Sequence, residues 1–229
     1  MKLVIGNKNY SSWSLRPWLL LRQAGIDFEE IPLRLFTKAF NEEIARYSPA
    51  GKVPALVDGD LTVWDSLSIS EYVAERFPQL QLWPADAADR AVARSICAEM
   101  HSGFFNLRNQ MPMNVTAVLP GLGWNVAVQQ DIDRIATIWT DLRARHGAKG
   151  PFLFGTFTVA DAFYAPVVSR FATYGVHLPE AAKAYADFIL ALPAMQEWVA
   201  AAREERDFVP ADEPYRLRPE RPDAIIVTG

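Results

Sequence analysis

Two stretches of this chain carry side chains that can do chemistry. The first is Asn9-Tyr10-Ser11-Ser12-Trp13-Ser14-Leu15-Arg16, with three hydroxyls and a phenol beside the start of an apolar-periodic segment. The second is residues 48–66, which end in Asp65-Ser66. After that pair, Ile69, Tyr72, Val73 and Phe77 fall at helical spacing. A carboxylate and a hydroxyl at a helix start, among unpaired backbone N–H groups, can hold one end of a small charged ligand. Val53-Pro54 opens a short apolar run. A cis bond there would turn the N–H and C=O of Val53 toward a bound peptide. The serines by themselves read as helix caps, with Ser14 suited to the N-cap. Cys97 is the only cysteine, which excludes an internal disulfide and a cysteine zinc site. It reads as a small buried hydrophobe. His101 has no second histidine or carboxylate at metal-ligand spacing, so no metal is expected.

These residues need elements to hold them. Lys2 to Ile5 reads as a strand, Asn7 to Ser12 as a polar loop, and a helix begins near Leu15 with Pro17 in its first turn. Gly25 suits the end of that helix. Phe28 to Leu33 reads as a second strand and Asn41 to Tyr47 as a short helix. Ala55 to Val57 and Leu61 to Trp64 flank Asp58-Gly59, a hairpin signal because glycine accepts positive φ. The helix from Asp65 to Phe77-Pro78 completes a β-α-β-α-β-β-α unit, with the first two strands parallel by right-handed crossover. Residues 79–87 read as a linker. Beyond them the chain reads as helical: Asp89 to Met111 as one long helix, Val126 to His146, Ala160 to Thr173, Ala181 to Leu190 and Ala194 to Arg206. Thr158-Val159-Ala160-Asp161 is similar to a capping box, with Asp in place of Glu. The proline-bearing tail from Asp207 (Pro210, Pro214, Pro219, Pro222) reads as irregular and draped on the surface.

Composition agrees with a two-domain enzyme. The chain has 229 residues, half of them hydrophobic, enough to bury a full core. A net charge of −4 with mixed signs argues against a nucleic-acid groove. No run of about 18 apolar residues predicts a membrane span. The opening Met1 to Gly6 is too short for a signal peptide. A cytoplasmic location is expected.

The extended Val-Pro segment followed by an acidic residue and serine resembles the glutathione site of the glutathione transferase family. The resemblance covers the whole chain in length and element order, with its specific motifs mostly in residues 1–80. It implies an α/β thioredoxin-like N-terminal domain (1–80) and an all-α C-terminal domain with an irregular tail (88–229). It implies glutathione as co-substrate, an electrophilic small molecule as the second substrate, a homodimer, and no metal. The Ser-Ser-x-Ser-x-Arg pattern of residues 11–16 is similar to the zeta-class motif Ser-Ser-Cys-Ser-x-Arg, with Trp13 in place of the cysteine. That replacement departs from what maleylacetoacetate isomerisation, the zeta-class example, would lead one to expect.

By position in that motif Ser11 is the thiol-activating residue, with Ser12 and Tyr10 as rivals. A free thiol titrates near ~8.5, so little is thiolate at neutral pH. A donated hydroxyl and the positive end of a helix stabilise the thiolate selectively. By family position Asp65 and Ser66 take the γ-glutamyl end, Val53 and Pro54 the cysteinyl backbone, and Lys52 the glycine carboxylate. Lys38 and Trp13 are expected to line the same pocket. Tyr10, Met100, Phe104 and Arg108, with Phe105 beside them, are expected to wall the electrophile pocket, under cover of the loop at 112–124. Arg16 reads as a surface or structural charge.

Overall fold

The computed structural model describes residues 1–218 and 221–225, with side chains described as far as Arg216. Its first unit is a four-stranded sheet with strands β1 (Lys2–Ile5), β2 (Glu29–Pro32), β3 (Ala55–Asp58) and β4 (Leu61–Trp64) in the order β2-β1-β3-β4. β1 and β2 are parallel, with Lys2 opposite Glu29. β3 runs antiparallel to β1 and to β4. Leu3, Val4 and Ile5 are all buried, so β1 is covered on both faces. Gly59 takes φ +60° in the β3–β4 turn, a conformation that costs residues with a Cβ. Pro54 precedes the first paired residue of β3, where its missing N–H leaves the ladder intact.

Helix α1 (Ser12–Gln23) starts earlier than its apolar spacing indicates. Ser11, and not Ser14, is its N-cap. The reason lies in tertiary hydrogen bonding: Ser14 Oγ accepts the N–H of Gly6 at 3.0 Å, and the N–H of Ser11 bonds the Asn7 carbonyl at 2.8 Å, turning the chain into the helix early. Pro17 therefore lies inside the helix, leaving the Trp13 carbonyl without its intrahelical donor. Helix α2 (Lys38–Ile44) also starts earlier than Asn41, because Thr37 Oγ1 caps it from the N–H of Phe40 at 3.1 Å. Helix α3 (Ser66–Arg76) follows β4 with Asp65 as its cap.

The second unit is helical: α4 (Ala87–Ser102), α5 (Phe105–Gln110), α6 (Val126–His146), α7 (Val159–Tyr174), α8 (Glu180–Ala191) and α9 (Pro193–Glu204). The single helix expected over 89–111 is broken into α4 and α5. The close approach of the Glu99 carbonyl, 2.8 Å from where a Cβ on Gly103 would stand, admits only glycine. Phe104 then takes a left-handed conformation. The expected capping box is present: Asp161 accepts the N–H of Thr158 at 2.8 Å and that of Leu153 at 3.0 Å. Helix α7 is buried on nearly all sides and packs against α1, α4 and α8. Trp18 of α1 meets Trp198 of α9 edge-on at 5.0 Å, tying the two units through one shared core.

The tail is built rather than irregular. A short 3-10 turn (Pro210–Asp212) is followed by a two-stranded antiparallel pair, β5 (Arg216–Arg218) and β6 (Arg221–Ile225). The expectation for residues 219, 220 and 226–229 lies outside the described residues. The long loop over 112–124 is held down at its start. It is pinned to the core by Tyr174 on the Pro112 carbonyl (3.0 Å) and Thr173 on the Asn114 carbonyl (2.8 Å). Among the described residues no helix is long and apolar enough to cross a membrane. None of their His, Cys, Asp and Glu side chains group in threes to hold a metal ion.

Candidate active site between the sheet and the helices

The start of α3, the segment before β3 and the end of α4 enclose a cavity of about 460 Å³. Lys52, Val53, Pro54, Asp65, Ser66 and His101 are among its walls. The Val53–Pro54 peptide is cis. Among the described residues, the N–H and C=O of Val53 have no backbone partner. Asp65 holds φ +73°, ψ +132°, a conformation that costs a non-glycine residue about 1–3 kcal/mol and needs outside support. Its Oδ1 accepts the N–H groups of Leu67 (2.9 Å) and Ser68 (3.2 Å). Its Oδ2 lies 2.6 Å from His101 Nε2. His101 in turn packs edge-on to Trp13 at 5.3 Å. Ser66 is 1% exposed, and its hydroxyl has no partner among the described residues. A buried hydroxyl left so costs about 1–3 kcal/mol, which a ligand group would recover.

This cavity adjoins a larger one of about 770 Å³, which shares Trp13, Lys52 and Val53 with it. Ser11, Ser12, Tyr10, Arg108, Arg170 and Asp212 supply its polar wall. Leu35, Phe36, Phe105 and Pro112 supply apolar surface, and Phe36 stands 74% exposed at its mouth.

The hydroxyls beside α1 differ in what they already do. Ser11 Oγ is 2.7 Å from Ser14 Oγ, which accepts the N–H of Gly6. Ser12 Oγ accepts from Arg170 Nη2 at 3.2 Å. The Tyr10 hydroxyl is drawn to the tail, 2.7 Å from Glu213 Oε1 and 3.1 Å from the Asp207 carbonyl. Burial and the Glu213 carboxylate push its phenol far above the ordinary range. The turn itself is clamped from the far end of the chain: Glu205 accepts the N–H groups of Lys8 (2.6 Å) and Asn9 (3.0 Å).

Three arginines lie behind these hydroxyls. Arg16 is fully buried and donates from Nε to the Phe163 carbonyl at 3.3 Å, so it is no surface charge. Its guanidinium lies 4.2 Å from the centre of the Trp13 ring, and that of Arg108 lies 4.6 Å from it. Arg108 also donates to the Met100 and His101 carbonyls. Arg170 donates to the Met111 carbonyl at 2.9 Å. Burial, then the charge of Arg108, lowers Arg170 to about 10 and holds Arg16 well below its ordinary value.

Of the residues expected at the glutathione end, Lys52, Val53, Pro54, Asp65, Ser66 and Trp13 line the smaller cavity, and Ser11 the larger one. Lys38 does not join them. Its side chain is 93% exposed on α2, beside Glu42. Of the expected electrophile wall, Tyr10 and Arg108 line the larger cavity, with Phe105. Met100 and Phe104 do not. The break at Gly103 turns both into the core, where Met100 is fully buried. Sequence reasoning missed His101 as the partner of Asp65, and it missed Arg170 and Asp212. Arg170 left a signal, a lone cation within the apolar run 160–173. Asp212 left none.

Comparison with known proteins agrees with this geometry. Residues 10–76 match the family model for the glutathione S-transferase N-terminal domain, and residues 87–201 match that for the C-terminal domain. Glutathione S-transferase Z1 of Arabidopsis thaliana is 30% identical over 203 residues, covering 82% of this chain and 89% of that protein. Maleylacetoacetate isomerase of Rattus norvegicus is 38% identical over 101 residues, 43% of this chain and 46% of that protein. Among solved structures, a Burkholderia glutathione transferase homolog with bound glutathione superposes with a TM-score of 0.68 at 25% identity, covering 89% of this chain and 98% of that one. A bacterial maleyl pyruvate isomerase of the zeta class has the same fold, with a TM-score of 0.66 at 24% identity over 90% of this chain and 99% of its own. With both domains matched, and with the thioredoxin-like sheet followed by the helical unit, the chain belongs to the glutathione S-transferase family.

Proposed function

We propose that this protein is a glutathione transferase that binds glutathione in the smaller cavity, stabilises its thiolate with Ser11, and directs sulfur onto an electrophile in the larger one. The observation that carries the reading is the buried, partnerless Ser66 hydroxyl beside Asp65, in one cavity with the free backbone groups of Val53. Those groups fit an amino-acid head followed by a peptide. Asp65 takes the γ-glutamyl ammonium, and the Ser66 hydroxyl at the positive start of α3 takes the γ-glutamyl carboxylate. Val53 pairs with the cysteinyl backbone, and Lys52 lies at the glycine carboxylate.

The hydrogen-bond pattern supports Ser11 over Tyr10. With Ser14 Oγ accepting from Gly6, its proton is free to go to Ser11, and Ser11's own proton is free for the sulfur. The Tyr10 proton is taken by Glu213, whereas Ser12 accepts from Arg170 and keeps its proton, so Ser11 is preferred to Ser12 by its position in the serine motif alone. The start of α1 and the arginines behind it add positive potential at the same place. The protein then contributes thiolate stabilisation and proximity. In a substitution, the sulfur–carbon bond forms as the leaving group departs with its electron pair.

Arg108 and Arg170 favour a second use of the same site, glutathione-dependent isomerisation of an unsaturated acid. There sulfur adds to a double bond, the resulting carbon–carbon single bond rotates, and sulfur leaves again. The arginines would hold the acid's carboxylates throughout.

The working form is a two-fold dimer. Leu61 and Trp64, each 47% exposed on the edge strand β4 beside Asp65, are the apolar surface for an isologous contact. Light scattering at micromolar concentration should give twice the chain mass, and a stable monomer would remove the dimer. Calorimetry with glutathione, then turnover of 1-chloro-2,4-dinitrobenzene and of an unsaturated dicarboxylic acid, tests the activity. Absence of glutathione binding would overturn the assignment.

A further inference from the structure

The larger cavity contains a carboxyl group for which neither conjugation nor isomerisation has a use. Asp212 ends the 3-10 turn of the tail and lines the cavity with Ser11, Arg108 and Arg170. Its side chain makes no hydrogen bond or ion pair among the described residues. Its position is nevertheless fixed. The next residue, Glu213, is buried between the Tyr10 hydroxyl (2.7 Å) and Arg216 Nε (3.1 Å). Two residues further, the Tyr215 hydroxyl donates to the Gln110 carbonyl at 2.6 Å and its ring packs on Tyr174.

The charged and titratable groups around Asp212 come from every neighbouring element. They are Arg170 and Tyr174 of α7, Arg108 of α5, Tyr10 of the turn before α1, and Glu213, Tyr215 and Arg216 of the tail. Arg170 is the cation whose charge acts most strongly on it.

We propose that Asp212 is a specificity-determining residue of the electrophile cavity: ionised, it offsets Arg170 and disfavours carboxylate-bearing substrates, and neutral, it leaves the arginine to them. A substrate carboxylate and the Asp212 carboxylate compete for one buried cation, and like charges in one cavity disfavour each other's ionised form. Burial pushes the Asp212 carboxyl up to about 6, against the pull of Arg170 and with a further push from Glu213. Above that pH it is ionised, and below it neutral. The preference for anionic substrates therefore rises as pH falls through 6. The inference rests on the glutathione reading above.

Two product-like conjugates that differ by one carboxylate test it, S-benzylglutathione and S-(4-carboxybenzyl)glutathione. Their affinities are measured by calorimetry at about pH 5.2 and about pH 7.5, a range in which an ordinary carboxyl (about 4) on the ligand stays ionised. The ratio of the two affinities cancels every group they share, including the glutathione moiety. In the wild type the ratio should favour the carboxylated conjugate by about tenfold more at the lower pH, the equivalent of about one unit of coupling. Asp212→Asn should show the high ratio at both pH values. Asp212→Glu should restore the pH dependence. A wild-type ratio independent of pH, or an Asp212→Asn ratio like the wild type's, would overturn the inference and leave the glutathione reading intact. An equal loss of both conjugates in Asp212→Asn would make the residue structural and overturn it as well. If neither conjugate binds the wild type, the glutathione reading falls and takes this inference with it.

Discussion

The cavity proposed for glutathione and the one proposed for the electrophile share Trp13, Lys52 and Val53 but draw on different parts of the chain. At the first end, Val53, Pro54, Asp65 and Ser66 come from one hairpin and its flanks, within fourteen residues. What that end offers a ligand is backbone groups and a helix start. At the second end, Tyr10, Arg108, Arg170 and Asp212 are separated by more than forty residues from each other. Buried guanidiniums carry the charge. A ligand of fixed structure suits a short local motif held by the sheet. A site whose substrate differs from one relative to the next suits side chains gathered from separate elements, each replaceable without disturbing the first end.

The largest expected effect tests the boundary between the two ends. Ser11→Ala should leave glutathione affinity nearly unchanged while turnover at neutral pH falls by about a hundredfold, the consequence of a thiol raised by about two units. Much of the rate should return as pH rises. The thiolate's ultraviolet absorbance, titrated in the mutant, checks this. Asp65→Ala should weaken glutathione binding by about thirtyfold, since charge-assisted pairs are worth about 1.5–3 kcal/mol, while an unrelated ligand of the larger cavity binds as before. Unchanged calorimetric affinity would break the assignment of the local end.

Arg108→Met should do the reverse. Turnover of a carboxylate-bearing electrophile should fall by about tenfold, with the Michaelis constant for glutathione held and an uncharged electrophile little affected. Loss of all three together would mean that the two ends are not separable. His101→Gln, which keeps a donor for Asp65, should cost about threefold in glutathione affinity, and His101→Leu more, as a net hydrogen bond of about 1 kcal/mol requires. Equal effects of the two would deny His101 a part in holding Asp65. The smallest effect is expected from Tyr10→Phe. The bound thiol should titrate as in the wild type, because the phenol already belongs to Glu213. Loss of the low-pH thiolate in that mutant would transfer activation from Ser11 to Tyr10.

What could be read in advance follows the same division. The sheet, the hairpin at Asp58-Gly59 and the Asp65-Ser66 helix start were legible because neighbours in sequence specify them. The capping box at Thr158 was legible for the same reason. The start of α1 was not, because Ser14 caps nothing once Gly6 claims its hydroxyl. The break at Gly103 was missed because helical spacing continues through it, and only the Glu99 carbonyl forbids a side chain there. Met100 and Phe104 were misplaced with it. Asp212 was out of reach, since its place depends on Tyr10 and Gln110 holding the residues after it.

The clamp of Glu205 and Glu213 on the turn before α1 also has a consequence for synthesis. The two acceptors are synthesised about 200 residues after the turn that they hold. A nascent chain can fold its sheet and most of its helices before that turn acquires its hydrogen-bond acceptors. The turn therefore stays without these acceptors until that later segment has been made.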